Sequence, residues 1–515
     1  MTSCPICKRK KGVAVITAPN GRDGSEYDCP VCGKYFVSGT AEAMLSSRKA
    51  SQRLSAWVQS RTERVPEVDS RIVHQMYSEA TMFQSFTVKN FKSYRNATLH
   101  LSPLTLLVGA NASGKSNAIE AIRILAWLAR GQRLDAITTS VQASDVGVRG
   151  RVQYMVYGDA QEFEVGCAVT NMEGWDRLRL RIGTRDEALR ILDETIERSD
   201  GRFPLYRVAS AATGLSHDLN VEYNNFARGG RKPQVACSDQ LAVFTQLESS
   251  ARFEAGHKKA QETIPKITKR YRELLANTLF LDPRPSEMRD YSFKTEKRLK
   301  DNGANISAVV FNLCQEASIK QQLIEFIASL PEQDIRDIGF IETPRSEVML
   351  KLTESFGGRN RMVEAPLLSD GTLRVLSVAA ALLSAPEGAL VVIEEIDNGV
   401  HPSRAESLLK NIQAVAAERG LSVLLTSHNP ALLDALPAEA VPKVLFCYRD
   451  PEEGDSRLVQ LQKLPDFPEL IAQGRLGHLM TAGMLERFIK FRPKGEEKQQ
   501  QAMEWLQALK AEGGK

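Results

Sequence analysis

Apolar and polar positions divide the chain into stretches of different period. FTVKNF (86–91) and ATLHL (97–101) alternate with period two and predict a pair of strands. LTLLV (104–108) is apolar but for Thr105, as a strand covered on both faces reads, and it leads straight into Gly109. Beyond Ser116, apolar residues recur at Ile119, Ile122, Leu125 and Leu128, a helical spacing. LVVI (390–393) and LSVLLTS (421–427) predict two further buried strands of the parallel type, and 373–384 a long apolar helix. Buried strands interleaved with helices predict an α/β fold.

The middle of the chain is less plain. RVQYMVY (151–157) and FEVGCAV (163–169) alternate like a hairpin turning at Gly-Asp-Ala. Stretches 186–197 and 258–275 read as helices, the second kinked or restarted at Pro265, and neither is long enough for an extended coiled coil. The basic face of the second helix (Lys258, Lys259, Lys266, Lys269, Arg270, Arg272) is read as solvated or protein-facing. Short strands flank a Pro-Asn-Gly turn at 12–16 and 26–28, a polar helical connector follows at 38–80, and 468–490 is helix-like before a Lys/Gln-rich tail. The expected organisation is a small ribbon (1–40), a connector (41–82), the first part of an α/β domain (83–150), a mixed α+β insertion (151–340), the rest of the α/β domain (341–450) and a helical tail (451–515).

Composition narrows the class without settling it. The apolar fraction of 43% and charged fraction of 25% are those of an ordinary globular protein. The longest uncharged apolar stretch, VLSVAAALLSA (375–385), is far short of the roughly 20 residues of a membrane span, and no apolar core follows the basic N-terminus. A cytoplasmic location with no membrane partner is expected. Residues 1–80 hold twelve Lys and Arg against eight Asp and Glu, which accounts for the whole net charge of +4. That balance is a weak argument for nucleic acid.

Eight cysteines in a cytoplasmic chain are expected to be reduced. Cys167, Cys237, Cys314 and Cys447 are scattered and read as small buried apolar residues. Cys4-Pro-Ile-Cys7 and Cys29-Pro-Val-Cys32-Gly33 instead form two CxxC knuckles, the spacing with which two tight turns complete a tetrahedral Zn2+ site. Unrelated thiols or a redox pair is the plainer reading of each knuckle alone. Together they resemble a zinc ribbon, whose folding energy would come mostly from its metal.

GANASGKS (109–116) sits between the buried strand and the helix, the context in which a glycine-rich loop cradles phosphates. The nucleotide-binding stretch is Gly109, Ala110, Asn111, Ala112, Ser113, Gly114, Lys115, Ser116 and Asn117. Lys115 would neutralise β/γ oxygens and the Ser116 hydroxyl would ligate Mg2+. LVVI ends in paired acids: Glu394 can hold Mg2+ through water, and Glu395 is placed to orient or activate the attacking water. Ser369-Asp370-Gly371 opens the apolar helix; alone it is a capped helix start. His428 ends the strand at 421–427, where a lone histidine is more often structural.

Taken in order, GANASGKS, LLSDGT, LVVIEEIDNGVHP and LLTSHNP, with the FxVxNFKSY opening at 86–94, resemble the ABC-type ATPases of the SMC, RecF and OLD group, in its stand-alone OLD-like branch. The resemblance covers about 83–130 and 340–450. It implies two ATPase heads facing each other, each ATP lying between one subunit's phosphate loop and the other's Ser369, Asp370 and Gly371. Glu394 stands where the family usually has Asp. Asp397 opens a stretch, through His401, that resembles the interface-communicating D-loop, and His428 matches the switch histidine. Gln142 and Gln153 lie in the region of the Q-loop glutamine, without a convincing frame for either.

OLD nucleases carry a metal-nuclease domain after the switch histidine. The 65 or so residues after Tyr448 show neither its separated acidic strands nor an HNH-like histidine cluster. Nuclease chemistry is therefore expected on another chain. Relatives of this branch accompany a nuclease or toxin in bacterial anti-phage systems such as Septu and PARIS. The implied function is an ATP-hydrolysing, self-associating sensor or regulator of a separate effector. The alternative is a RecF- or SMC-like protein that binds DNA under ATP control, and DNA is left open as a partner.

Overall fold

A computed structural model describes residues 4–8, 13–17, 24–38 and six single positions up to 68, then 81–490 except 140–151, 186–187, 202, 213–215, 329–334, 357–358, 399–401, 437–439 and 465–466. Most of the connector, the tail after 490, Gln142 and His401 lie outside the described residues.

Six strands form the central sheet, in the order β14 (Leu279–Leu281), β19 (Leu390–Ile393), β20 (Ser422–Ser427), β7 (Leu104–Val108), β21 (Leu445–Arg449), β22 (Ser456–Gln460). The first five run parallel and β22 returns antiparallel to β21. Strands β7, β19 and β20 are buried from end to end because both faces are covered. Their alternation sorts side chains between two cores. Leu107, Leu390, Val392 and Leu424 face one core with the helix Lys115–Ala129. Leu104, Leu106, Val108, Val391, Ile393, Val423 and Leu425 face the other with the helices Asp370–Ser384 and Pro402–Arg419. The α/β class expected from the sequence is the one observed.

An eight-stranded antiparallel sheet closes the first core. Its order is β13 (Gln234–Ser238), β12 (Asp218–Tyr223), β11 (Tyr206–Ser210), β10 (Ala188–Glu197), β9 (Arg177–Arg185), β8 (Glu162–Val169), β5 (Phe83–Phe91), β6 (Tyr94–His100). The 162–238 strands thus extend the sheet begun by β5 and β6. The second core is covered by β15 (Ser292–Phe293), β16 (Ile335–Glu342), β17 (Glu347–Phe356) and β18 (Arg359–Glu364). At the N-terminus, β1 (Ala14–Thr17), β2 (Gly24–Cys29), β3 (Gly33–Ser38) and β4 (Glu67–Val68) make a small separate sheet.

Three expectations are corrected. Residues 188–197 are strand β10, not helix: a bulge between Ile191 and Asp193 adds one residue. That insertion spaces Leu189, Leu192 and Ile196 like a helix face. The 151–157 half of the expected hairpin is a 3-10 turn at Val152–Tyr154 with a single bridge from Val156 to Phe91. Strand β8 pairs with β5 and β9 instead. The tail after 450 does not start as helix; it supplies β22 before three short helices, Phe467–Ala472, Leu476–Thr481 and Met484–Lys490. The helix Lys258–Ala276 runs through Pro265 without restarting.

Glu194, wholly buried in β10, accepts hydrogen bonds from Tyr206 Oη (2.6 Å) and from the N–H groups of Val243 and Phe244 (2.7 Å each). Burial pushes its carboxyl up to about 7, against the pull of those three donors. Between the ordinary value of 4.5 and about 7 the folded chain keeps a proton that the unfolded chain has released. Stability therefore falls as pH rises through that window and levels off above it. Urea midpoints measured from pH 5 to 8 should fall in the wild type and fall less in Glu194→Gln. An equal fall in both would assign the effect to other groups.

Candidate functional site

The register of three neighbouring strands builds the site. Val108 pairs with Ser427, and Ile393 with Leu425, so β7, β20 and β19 end at nearly one level. Gly109, His428 and Glu394 each follow directly, at the carboxyl edge where open parallel sheets bind ligands.

The loop after β7 is held from below by side chains from distant segments. Ser456 Oγ donates to Ser113 O (2.6 Å) and lies 2.7 Å from Ser93 Oγ, whose own hydroxyl can donate to it. Tyr94 Oη donates to Gly114 O (3.1 Å), and Cys447 Sγ to Ser113 O (3.4 Å). Asn117 Nδ2 turns to Ser93 Oγ (2.7 Å), so its side chain serves the frame of the loop. The fit is close enough to require glycine. A Cβ on Gly109 (φ 155°) would stand 2.2 Å from Cys447 O, and one on Gly114 (φ 118°) 2.4 Å from Ser456 Oγ. Ser93 and Tyr94 close the FxVxNFKSY stretch and Cys447 is read from the sequence as a buried apolar residue, but nothing in the sequence assigns these three or Ser456 to the loop, which they reach through sheet pairing of distant segments.

Above that frame, Ala110, Asn111, Ala112 and Ser116 are exposed, and Ala112 adopts φ 62°. Lys115 opens its helix, with Nζ donating to Gly109 O (2.6 Å) and Ala110 O (3.0 Å). Burial lowers its ammonium below the ordinary lysine range, while Cys447, Glu395 and Asp397 pull it back up. The two carboxylates beyond β19 therefore act electrostatically on the loop lysine.

Glu395 is exposed and holds φ 49°, a left-handed conformation that costs a non-glycine residue about 1–3 kcal/mol. Its N–H donates to Thr426 Oγ1 (3.0 Å), and its carboxylate accepts from Asn398 Nδ2. Thr426, on the neighbouring strand, thus aims it. Glu394 turns the other way, 3.2 Å from Arg123 Nη2. Arg123 also pairs with Asp301 and stacks over the Phe280 ring at 4.3 Å. Asp397 is 9% exposed; one of its oxygens, Oδ1, is buried without a hydrogen-bond partner. The other is 3.8 Å from Nδ1 of the exposed His428. Such an orphan carboxylate oxygen, within electrostatic reach of Lys115, suits a hydrated cation. Gln153 lies exposed in its 3-10 turn.

Ser369, Asp370 and Gly371 do not join this group. Ser369 caps the helix Asp370–Ser384, accepting from Thr372 N (3.1 Å), and Asp370 pairs with Arg289. Both Ser369 and Asp370 are exposed.

A second site lies in the N-terminal sheet. The Sγ atoms of Cys4, Cys7, Cys29 and Cys32 all lie within 4.8 Å of one another. Cys4–Cys32 is 3.8 Å and Cys7–Cys29 is 3.6 Å. A tetrahedron with metal–sulfur bonds of about 2.3 Å has edges of about 3.8 Å, so the four thiols fit Zn2+. Each knuckle turns an N–H onto its first sulfur: Cys7 N to Cys4 and Val31 N to Cys29, both 3.4 Å. The hydrogen bond with Cys32, then that from Tyr35 Oη (2.8 Å), outweighs burial and lowers the Cys4 thiol to about 4, favouring the ligating thiolate. Of the scattered cysteines, Cys167, Cys237 and Cys447 are buried and Cys314 half-buried.

Comparison with known families matches residues 82–149 to a model described as "AAA ATPase domain" and 247–434 to one described as "AAA domain, putative AbiEii toxin, Type IV TA system". The chain is 21% identical over 373 residues to an "ATP/GTP phosphatase" of Helicobacter pylori, covering 69% of this chain and 87% of that protein. Among solved structures it is similar to an Smc head bound to the C-terminal winged-helix domain of ScpA, with a TM-score of 0.41 and 14% identity over 73% of this chain and 97% of that one. It is also similar to the SMC head domain of Thermotoga maritima, with a TM-score of 0.34 and 13% identity over 74% and 98%. The family matches span the phosphate loop and the strand-end carboxylates, and with the geometry above they identify a P-loop ATPase domain. Among the described residues, no helix is long and apolar enough to cross a membrane.

Proposed function

We propose that the chain is an ABC-type, OLD-like ATPase that closes as a homodimer or higher oligomer around ATP and so switches a separate effector, a nuclease or toxin, in bacterial anti-phage defence. The observation that carries the self-association is the Ser369-Asp370-Gly371 turn. It is ordered by its own subunit, yet it faces solvent and its hydrogen bonds lead away from the strand-end group. A capped helix start that presents N–H groups outward is suited to a phosphate brought by another copy. Met362 (65% exposed) and Leu367 (69%), on the strand and turn leading to it, add exposed apolar side chains on that approach.

Within each pocket, the loop N–H groups and Lys115 would hold the triphosphate, and the Ser116 hydroxyl with Glu394 and Asp397 would hold Mg2+, which when bound would offset charge on the phosphate oxygens. Glu395 accepts the proton of the attacking water, held at its task by Thr426, and His428 stands at the strand end beside Asp397. The effector partnership rests on the sequence resemblance. The DNA-clamp alternative gains little from the basic helix: Lys266 and Arg270 pair with Glu173, Arg272 with Glu248 and Lys269 with Glu273, so four of its six cations have carboxylate partners.

Lys115→Ala should abolish ATP binding. Glu395→Gln should still bind ATP, lose at least about tenfold in turnover, and shift to a higher native mass with ATP than without. Full turnover in Glu395→Gln, or an unchanged mass, would refute the catalytic assignment or the ATP-driven assembly respectively. For the ribbon, elemental analysis should give one Zn2+ per chain, lost in a Cys4→Ser/Cys7→Ser variant. That variant should lose effector binding while keeping ATP turnover. Retained effector binding would exclude the ribbon as the place where the effector docks.

A further inference from the structure

One guanidinium shapes the outward-facing turn. Arg289 Nη1 donates to the carbonyls of Pro366 (2.7 Å) and Leu368 (2.8 Å), with a longer contact to Ala365 (3.4 Å), while Nη2 pairs with Asp370. The turn from 365 to 370 is thus closed around a single side chain, itself mostly covered while Asp370 stays two-thirds exposed. A planar fork with several fixed donors can do this; an ammonium cannot.

The segment carrying Arg289 is anchored next to its own subunit's nucleotide pocket. It leaves β14, whose last carbonyl, Leu281 O, accepts from Glu394 N (2.8 Å). Asp282 N then donates to Asp301 O (2.7 Å) and Arg284 N to Asn302 O (2.9 Å), and Asp301 is the carboxylate that shares Arg123 with Glu394. Met288, just before Arg289, is wholly buried. Arg289 therefore projects from a fixed base.

Resting on the composite-site reading above, we infer that Arg289 is a positioning residue for the ATP of the opposite subunit: it sets the Ser369–Gly371 turn for the neighbour's phosphate pocket rather than serving its own. Loss of Arg289 leaves its own phosphate loop and Glu395 intact and disables the pocket across the interface.

Complementation separates the two possibilities. Arg289→Ala alone should bind ATP with wild-type affinity and lose turnover on the order of tenfold to a hundredfold, as displaced catalytic groups do. Arg289→Lys should recover little, because it restores charge without the fork. The Arg289→Ala chain is then co-expressed with Glu395→Gln under two different tags, and the doubly tagged species is purified. Each mixed dimer holds one pocket with an intact Glu395 facing an intact turn. Turnover well above both parent variants is expected. Turnover no higher than the parents would show that Arg289 serves its own pocket, and full activity of Arg289→Ala would show that it positions nothing. Failure of the broader reading is distinguishable, since the wild type would then lack ATP turnover or Glu395→Gln would retain it.

Discussion

Everything in the candidate site depends on three adjacent parallel strands ending together. Hydrogen-bond register fixes Val108 beside Ser427 and Ile393 beside Leu425, so the residues that follow are held as neighbours however far apart they lie in the chain. A one-residue slip in β19 would exchange its two faces between the cores and withdraw the carboxylates from Lys115. The alternation of Leu390 and Val392 toward one core and Val391 and Ile393 toward the other opposes such a slip. Packing energy thus becomes positional accuracy at the edge where charge is handled.

The phosphate loop needs a second support, because a glycine-rich loop has little rigidity of its own. The β21–β22 hairpin supplies it through Cys447 and Ser456, while β6 contributes through Ser93 and Tyr94. Two glycines pack so closely against this frame that side chains have no room. The strain is concentrated instead at Ala112 and Glu395, the non-glycine residues of the site with left-handed backbones. Both are exposed, and Glu395 is locked by Thr426. Conformational cost at exposed, functional positions and tight packing beneath them is a consistent division.

Much of this was legible in the chain. The apolar runs at 104–108, 390–393 and 421–427 gave the buried strands because burial on both faces leaves no polar alternation to misread, and the loop glycines announced themselves by spacing. The paired CxxC knuckles did the same for the four thiols that the ribbon gathers. The failures have physical causes. A bulge in β10 converted a period of two into a mimic of helical spacing, and β22 was missed because five moderately polar residues gain strand character only from the sheet edge they join. The supporting roles of Ser456, Thr426 and Arg289 were not legible: each acts through hydrogen bonds to segments far away in sequence, and such contacts leave no periodic trace.

The chain thus separates chemistry from presentation. One edge of the sheet gathers lysine, carboxylates and histidine; another place on the same subunit offers an ordered polar turn with nothing of its own to bind. The most direct measurement is cross-linking between Asp370→Cys and Ala112→Cys chains, with each single variant as control. A short thiol-reactive linker should join two chains only when ATP is present and Glu395→Gln prevents its turnover. Equal cross-linking with and without ATP, or none while ATP is bound, would contradict two copies closing over a shared triphosphate.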